Sequence, residues 1–280
     1  MDIKGQNIAI IGGGESGVGA ALLGKKMGAN VFVSDAGALK AQYRNELLKE
    51  NIDFEESGHS LDRILASKYI IKSPGIPAHV PIFKELALKE VKVLSEIEFA
   101  AKFTNAKKVC ITGSNGKTTT TMLLYHIFKS AGLNVAFAGN IGKSLARQVS
   151  LYEPDYFIVE LSSFQLDDLE TFKADISILL NITPDHLDRY QNDLNLYADS
   201  KLRITRNQTK DDWFIFNADD PVIKDKLSRI NLPMKVASFS IKTPQDIGGY
   251  SISEQLIINI KEQLSMSIHD LALKGKHNTQ

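Results

Sequence analysis

The sequence predicts an α/β fold in which parallel strands alternate with helices. Short runs of apolar and β-branched residues recur along the 280 residues, and helix-compatible runs separate them. Two of the apolar runs lead into glycine-rich turns, and others end in clusters of polar residues. Because open α/β sheets bind ligands at the carboxyl ends of their strands, the same pattern also predicts where a site would lie.

Composition narrows the classes of function. Hydrophobic residues make up 43% of the chain and charged residues 24%, as in globular proteins, and the length suggests two domains. The 33 basic residues balance the 33 acidic ones, so we expect neither nucleic acid nor a membrane surface as a partner. No stretch approaches 18 apolar residues, and no membrane span is expected.

The single cysteine, Cys110, lies in the apolar and β-branched run over 109–112 and is predicted to be a buried, inert thiol. The N-terminal apolar run is cut by glycines at 12–14, unlike a signal peptide. We therefore expect a reducing, cytoplasmic setting.

The first segment reads as strand, glycine-rich turn, helix and strand. A strand over 7–11 precedes Gly12, Gly14 and Gly17 in G-x-G-x-x-G spacing, and a helix is predicted over 18–27. A strand over 31–34 then ends at Asp35, where a nucleotide's sugar hydroxyls would be held. The segment predicts a Rossmann-like domain over 1–95. Glu15 lies inside the loop, where its charge would oppose a pyrophosphate unless it points away.

A strand over 69–72 and a strand over 91–94 complete that domain, with the turn Ser73-Pro74-Gly75 between them. The second predicted domain, 96–280, begins with a strand at Lys107. The further strands of this domain are predicted at 134–138, 156–161, 176–182 and 213–216. Beyond Ser238 the pattern predicts short antiparallel strands.

The stretch GSNGKTTT, residues 113–120, follows the strand at Lys107 and opens a predicted helix over 118–131. Loop amides and the positive helix end would face an anion, Lys117 would add a point charge, and the Thr118 hydroxyl could ligate Mg²⁺. This predicts a P-loop-type ATPase domain and a nucleoside triphosphate. An ordinary glycine-rich turn is the alternative, because Ile111 stands where the usual spacing has a glycine.

Three further side chains are candidates for chemistry. Glu160 ends an apolar strand, where it is either a Mg²⁺ ligand or an acid at a helix N-terminus without a role. His186 follows the strand over 176–182 and could ligate a metal, with Asp185 or Asp188 as its partner, although Mg²⁺ prefers oxygen ligands. The charge pattern around Lys201 predicts a solvated lysine.

Together these stretches resemble the Mur ligases of cell-wall peptide synthesis. The motifs that carry the resemblance occur in family order, at residues 12–17, 35, 73–76, 95–99, 113–119, 139–142, 160–166, 181–190, 197, 201–203, 217–220 and 277–278. Two positions depart from the family pattern: Glu15 stands where an apolar residue is usual, and Ala36 where a hydroxyl residue is common.

The resemblance implies a UDP-sugar, rather than NAD, in the first domain. The residues it assigns to the UDP-sugar are Gly14, Glu15, Ser16, Gly17, Asp35, Ser73, Pro74, Gly75, Asn140 and Ser162, with Glu15 and Ser16 acting through their backbone. The residues it assigns to ATP are Gly113, Ser114, Asn115, Gly116, Lys117, Thr118, Thr119 and Asn278. Two Mg²⁺ ions are implied, held by Thr118, Glu160, His186 and a carbamylated Lys201. Lys117, Glu160, His186 and Lys201 would thus be the catalytic set.

The resemblance further implies an ATP-dependent amide ligase that adds D-glutamate to UDP-N-acetylmuramoyl-L-alanine through an acyl phosphate, acting as a monomer. Family members continue into a third domain that brings the amino acid, so this chain is expected to bind nucleotide but to be inactive alone. The alternatives are a Rossmann-type NAD(P)-dependent oxidoreductase, a stand-alone nucleotide-binding module, and another amide ligase of the superfamily, such as folylpolyglutamate synthase.

Overall fold

The structure is a computed structural model that describes residues 1–77 and 79–271. The chain forms two compact units, Met1–Lys107 with Thr121–Phe172 and Lys108–Thr120 with Lys173–Gln280. The predicted division at Ser95 matches the end of the first sheet, described below, but not the limits of these units. It stays a prediction.

The first unit is built around a five-stranded parallel sheet with the strand order β3-β2-β1-β4-β5. Its elements are β1 (Asn7–Ile11), α1 (Glu15–Lys26), β2 (Asn30–Ser34), α2 (Ala41–Lys49), β3 (Asp53–Glu55), α3 (Leu61–Leu65), β4 (Tyr69–Lys72), α4 (Pro81–Leu88), β5 (Val93–Ser95) and α5 (Glu96–Ala101). This order is that of the doubly wound nucleotide-binding fold, 3-2-1-4-5-6, without its sixth strand. The central strand β1 is apolar and buried from Ile8 to Ile11, as a strand covered on both faces requires.

After β6 (Lys107–Thr112) and α6 (Lys117–Ser130), the first unit continues with a parallel strand pair and two helices. These are β7 (Val135–Gly139), α7 (Leu145–Leu151), β8 (Tyr156–Glu160) and α8 (Ser163–Asp167). Helix α7 packs against both α1 and α5. The α1–α7 contact is close at Gly19, where a Cβ atom would lie 2.1 Å from the Ser144 hydroxyl oxygen.

The second unit contains a mixed sheet in the order β14-β13-β12-β11-β10-β9-β6. Its remaining elements are β9 (Ile176–Leu179), α9 (Leu194–Leu202), β10 (Trp213–Asn217), α10 (Pro221–Leu227), β11 (Lys235–Ser240), β12 (Gly248–Ile252), β13 (Gln255–Asn259) and β14 (Gln263–Ser267). The strands from β6 to β12 are parallel, and β12, β13 and β14 are antiparallel. The α/β class and the antiparallel strands beyond Ser238 are therefore confirmed.

Two further features concern covalent chemistry and membranes. Cys110 lies in β6 and is fully buried, as predicted, and burial raises the pKa of its thiol. No helix among the described residues is both long and apolar enough to cross a membrane.

Candidate functional site

The loop of residues 12–17 makes a tight turn between β1 and α1. Gly12 has a φ of +94°, which favours glycine. A Cβ atom on Gly17 would lie 1.7 Å from the Gly12 carbonyl oxygen, so this position also requires glycine. The G-x-G-x-x-G spacing in the sequence thus forms a compact loop at the carboxyl end of β1. The N-terminus of α1 lies at the same place.

Two residues predicted to hold the nucleoside converge on this loop. Asp35 accepts a hydrogen bond from the Gly13 amide at 2.6 Å and another from the Gly37 amide at 2.8 Å. The Ser73 hydroxyl donates to the Gly12 carbonyl at 2.9 Å. Asp35 and Ser73 therefore brace the loop, and their contact with a UDP-sugar remains a prediction.

The Glu15 side chain is directed at the beginning of α7. Its Oε1 accepts hydrogen bonds from Arg147 Nε at 2.8 Å and from the Ser144 amide at 3.1 Å. The charge of Glu15 is thus balanced by a guanidinium. Arg147 was not predicted from the sequence, because a residue 132 positions from its partner carries no local signal.

Asn140 and Glu160, both predicted site residues, are in contact. Asn140 Nδ2 donates to Glu160 Oε1 at 2.9 Å, and its amide donates to the Glu160 carbonyl at 2.9 Å. Glu160 is buried, with 1% of its surface exposed. Ser162 is the N-cap of α8 and forms a reciprocal capping box with Gln165, so its hydroxyl has a structural role.

In the second unit, the phosphate loop of residues 113–116 joins β6 to α6. Gly113 and Gly116 have φ values of +158° and +83°. A Cβ atom on Gly113 would lie 2.9 Å from Leu180 Cβ, so a larger residue would not fit there. Lys117 Nζ folds back over the loop and donates to the carbonyls of Gly113 and Ser114, both at 2.8 Å.

A neighbouring segment braces this loop. The amides of Ser114 and Asn115 donate to the Asn181 carbonyl at 3.0 Å and to Asn181 Oδ1 at 2.8 Å. The Ser114 hydroxyl accepts from the Thr183 amide at 3.0 Å. These two loop amides thus face Asn181, and the ATP roles predicted for Ser114 and Asn115 stay predictions. The beginning of α6, at Lys117, supplies the positive helix end.

Lys201 is not solvated, so the prediction from its charge pattern is wrong. Only 1% of its surface is exposed. Its Nζ donates to the Gly113 carbonyl at 2.8 Å and lies 4.5 Å from the centre of the Tyr197 ring. These partners compensate for the burial of its charge. Tyr197 lies one turn earlier in α9, whereas Gly113 is 88 positions away in sequence. Lys117 and Lys201 consequently converge on one carbonyl oxygen.

The predicted Mg²⁺ ligands fit unequally. Thr118 at the beginning of α6 and the buried Glu160 offer the oxygen donors that Mg²⁺ prefers. Lys201 donates a hydrogen bond as an amine and would become an oxygen ligand only after carbamylation. His186 is exposed, at a φ of +49°, with Nε2 3.7 Å from Asp185. Across residues 1–77 and 79–271, no three His, Cys, Asp or Glu side chains are grouped to hold a metal. Asn278, predicted to contact adenine, lies outside the described residues.

Comparison with known proteins gives two family profiles. The profile described as Mur ligase middle domain matches residues 111–280, and that described as MurD N-terminal domain matches residues 7–82.

Curated relatives match nearly the whole chain. UDP-N-acetylmuramoylalanine–D-glutamate ligases are 48% identical in Bacteroides fragilis, 50% in Bacteroides thetaiotaomicron and 48% in Porphyromonas gingivalis, over 98%, 98% and 99% of the chain. The chain spans 62% of the length of each of these relatives.

Solved structures share the fold. UDP-N-acetylmuramate:L-alanyl-gamma-D-glutamyl-meso-diaminopimelate ligase from Neisseria meningitides has a TM-score of 0.67 at 18% identity, covering 98% of this chain and 90% of that one. UDP-N-acetylmuramate-alanine ligase from Thermotoga maritima has a TM-score of 0.58 at 19% identity, covering 98% and 62%. Because the middle-domain profile matches more than half of its residues, the chain belongs to the Mur ligase family.

Proposed function

We propose that this chain is the nucleotide-binding part of an ATP-dependent ligase that adds D-glutamate to UDP-N-acetylmuramoyl-L-alanine for peptidoglycan synthesis in the cytoplasm. The observation that carries the proposal is the phosphate loop on which Lys117 and Lys201 converge. The names of the D-glutamate ligases at 48–50% identity support the choice of substrates. The buried thiol of Cys110 suits a reducing compartment.

The proposed reaction has two steps. The alanyl carboxylate attacks the γ-phosphorus of ATP, which releases ADP and gives an acyl phosphate. The amine of D-glutamate then attacks the acyl carbon, releases phosphate and loses a proton to give the amide. Most of the protein's contribution is to position the reactants and to neutralise charge.

The residues of the chain divide this work. Residues 12–17, Asp35 and Ser73 would hold the UDP-sugar, and Asn140 would contact its sugar-peptide part. Lys117, on its flexible stem, would exchange the loop carbonyls for phosphate oxygens. The buried Lys201 would stay beside the Gly113 carbonyl and keep positive charge, or a carbamate, at the base of the loop.

Magnesium would supply Lewis-acid charge neutralisation of the phosphates. Thr118 and Glu160 are the residues whose oxygens suit the first ion. His186 would be a ligand to the second ion, and a carbamylated Lys201 would add two oxygens to that second site. We also propose a domain division at Ser95, because β5, the last strand of the five-stranded sheet in chain order, ends at that residue.

The decisive test is Lys117→Ala in the full-length protein. We expect kcat to fall by at least about 10²–10³, the typical cost of removing one group that stabilises transition-state charge. The KM for the UDP-sugar should change little, because Lys117 Nζ donates to carbonyls of the phosphate loop. Steady-state phosphate release measures both constants, and near-normal turnover would refute the assignment.

NADH offers a control for the oxidoreductase alternative. Fluorescence titration should show binding of UDP-N-acetylmuramoyl-L-alanine in competition with UDP and no saturable binding of NADH. The reverse result would favour the dehydrogenase class.

A further inference from the structure

Glu15 places a carboxylate inside a loop that would bind a pyrophosphate. An unbalanced negative charge there would repel such a ligand. The structure shows how this charge is used: Oε1 accepts from Arg147 Nε at 2.8 Å, and also from the amide and hydroxyl of Ser144 at 3.1 and 3.4 Å. The carboxylate is therefore bound to the first turn of α7.

Arg147 ties three helices together. Its Nε pairs with Glu15 of α1, and its Nη1 and Nη2 reach the two carboxylate oxygens of Glu46 in α2, at 2.5 and 3.0 Å. The Arg147 side chain is 16% exposed. Burial opposes its charge, but hydrogen bonds with Glu46 and Glu15 outweigh that effect and raise the pKa of the guanidinium. The guanidinium thus stays charged, and its planar group of donors binds two carboxylates at once.

The segment 139–144 connects this network to Asn140. Ser144 is the N-cap of α7 and accepts from the Arg147 amide at 3.2 Å. The Gly139 amide donates to the Lys143 carbonyl at 2.7 Å, which closes the segment on itself. Asn140 is held at its other end by Glu160. A shift of α7 would therefore move Asn140.

We propose that Glu15, with Arg147 as its counter-ion, is a positioning residue that sets the loop 12–17 against the segment 139–144, so that both hold one UDP-sugar. The inference rests on the proposed function, since it is the UDP-sugar that the two segments share. Glu15 acts through Ser144 and Arg147, and its own carboxylate does not contact the ligand.

The opposite role makes the opposite prediction. If Glu15 were only a tolerated surface charge near the loop, its neutralisation would remove a repulsion and strengthen binding of the anionic UDP-sugar. As a positioning residue, it should weaken binding when neutralised, because the charge-assisted bonds to α7 are lost.

The test is isothermal titration of the chain with UDP-N-acetylmuramoyl-L-alanine. Glu15→Gln should weaken binding about tenfold, in line with the loss of a charge-assisted hydrogen bond. Arg147→Met should weaken it more, since it leaves Glu15 unpaired beside the ligand. The double variant should bind more tightly than Arg147→Met alone. Glu46→Gln is the matched control, because Glu46 contacts Nη1 and Nη2 of the same guanidinium and leaves the bond from Nε to Glu15 in place. It should change affinity less than twofold.

Kinetics on the full-length protein give a second readout. Glu15→Gln should raise the KM for the UDP-sugar by a similar factor and leave the KM for ATP unchanged, which general destabilisation would not do. If Glu15→Gln does not fold by circular dichroism, Arg147→Lys takes its place, because it keeps the charge but lacks the Nε–H group that donates to Glu15.

Unchanged or tighter binding by Glu15→Gln, or by Arg147→Lys where it replaces it, overturns the proposal. The proposal is also overturned if the changes in binding free energy caused by Glu15→Gln and Arg147→Met are additive in the double variant. Absence of UDP-sugar binding by the wild-type chain would instead overturn the proposed function, and this inference with it, so the two failures are told apart.

Discussion

Glu96 is a carboxyl group buried at the beginning of α5, with 1% of its surface exposed. Its Oε1 accepts from the Ala146 amide at 2.5 Å, and its Oε2 has no hydrogen-bond partner in the part of the chain that the structure describes. Burial, and to a smaller extent the charge of Glu15, raise the pKa of Glu96 to about 8 against the opposing bond from Ala146. The group is therefore protonated at neutral pH.

We predict that Glu96 makes the fold less stable as the pH rises. The unfolded chain releases this proton near pH 4.5 and the folded chain near pH 8. Between these values the folded state binds more protons, so the free energy of unfolding falls by up to about 1.4 kcal/mol per pH unit. Glu96→Gln should remove this dependence of the free energy of unfolding on pH, because glutamine does not titrate. Between pH 5 and pH 9 the variant should therefore become more stable relative to the wild type. Urea unfolding at both pH values measures it, and parallel pH profiles for the two proteins would contradict it.

The burial of Lys201 could not be predicted from the residues around it in sequence. The charge pattern of its helix predicted a solvated side chain, because the Gly113 carbonyl that receives it lies 88 positions away in sequence. Only the resemblance to a family raised Lys201 to a candidate. Gly17, in contrast, was predictable from spacing alone, since its close approach to Gly12 is a local property of the loop.

Helix α5 holds the loop of residues 170–172 in place through one side chain, that of Glu98. Glu98 Oε1 accepts from the amides of Glu170, Thr171 and Phe172 at 2.7, 2.7 and 2.6 Å, and Oε2 accepts from the Thr171 hydroxyl at 2.6 Å. Burial would raise the pKa of Glu98, but the hydrogen bonds from Thr171 and the three amides outweigh it and lower the pKa. The carboxylate thus satisfies three loop amides at once.

We predict that Glu98→Gln lowers the free energy of unfolding at pH 7 by about 1.5–3 kcal/mol, the range for hydrogen bonds to a charged group. Because the pKa of Glu98 is lowered by folding, its contribution is present above the unfolded pKa and is lost as the pH falls through the folded pKa. The difference in the free energy of unfolding between wild type and variant should therefore be smaller at acidic pH. Glu170→Gln is the control, because an exposed ion pair such as that between Glu170 and Lys92 contributes little to stability. Urea titrations at pH 7 and pH 3 decide, and an equal gap at both would contradict the prediction.

Strands were predicted better than helices. The apolar runs located β1, β4 and the beginning of β6 at their observed residues. The run over 176–182 was predicted as one strand, but β9 ends at Leu179 because Asn181 turns to brace the phosphate loop. Short helices such as α3, with five residues, carry too little periodicity to be read from sequence, and tertiary packing sets their ends.

For the whole molecule, we predict that the two nucleotide sites can be disabled separately. Gly17→Ala should abolish UDP-sugar binding, since its Cβ atom would overlap the Gly12 carbonyl, while Lys117→Ala should weaken ATP alone. A ligand at 100 times its dissociation constant stabilises the folded state by about 2.7 kcal/mol. Thermal unfolding with each ligand should thus show one shift lost in each variant. Loss of both shifts in both variants would contradict separate sites.

At this scale the motifs predicted which loops matter but not how they are braced. Spacing located the loops at 12–17 and 113–116. Spacing also connected Asp35 to the first loop, but not Ser73, Asn181 or Arg147, whose hydrogen bonds shape the two loops as well. Long-range pairing is a property of the folded chain, and a single sequence carries no signal for it.

The burial of Cys110 has a practical consequence for work on this protein. Alkylating and maleimide reagents attack thiolates, and this thiol is both enclosed and held in its protonated form. The wild-type sequence therefore behaves as a background without reactive cysteine. A cysteine introduced at an exposed position such as Leu88, which is 79% exposed, would be labelled alone. Fluorophores could then follow ligand binding without first replacing a residue in the core of β6.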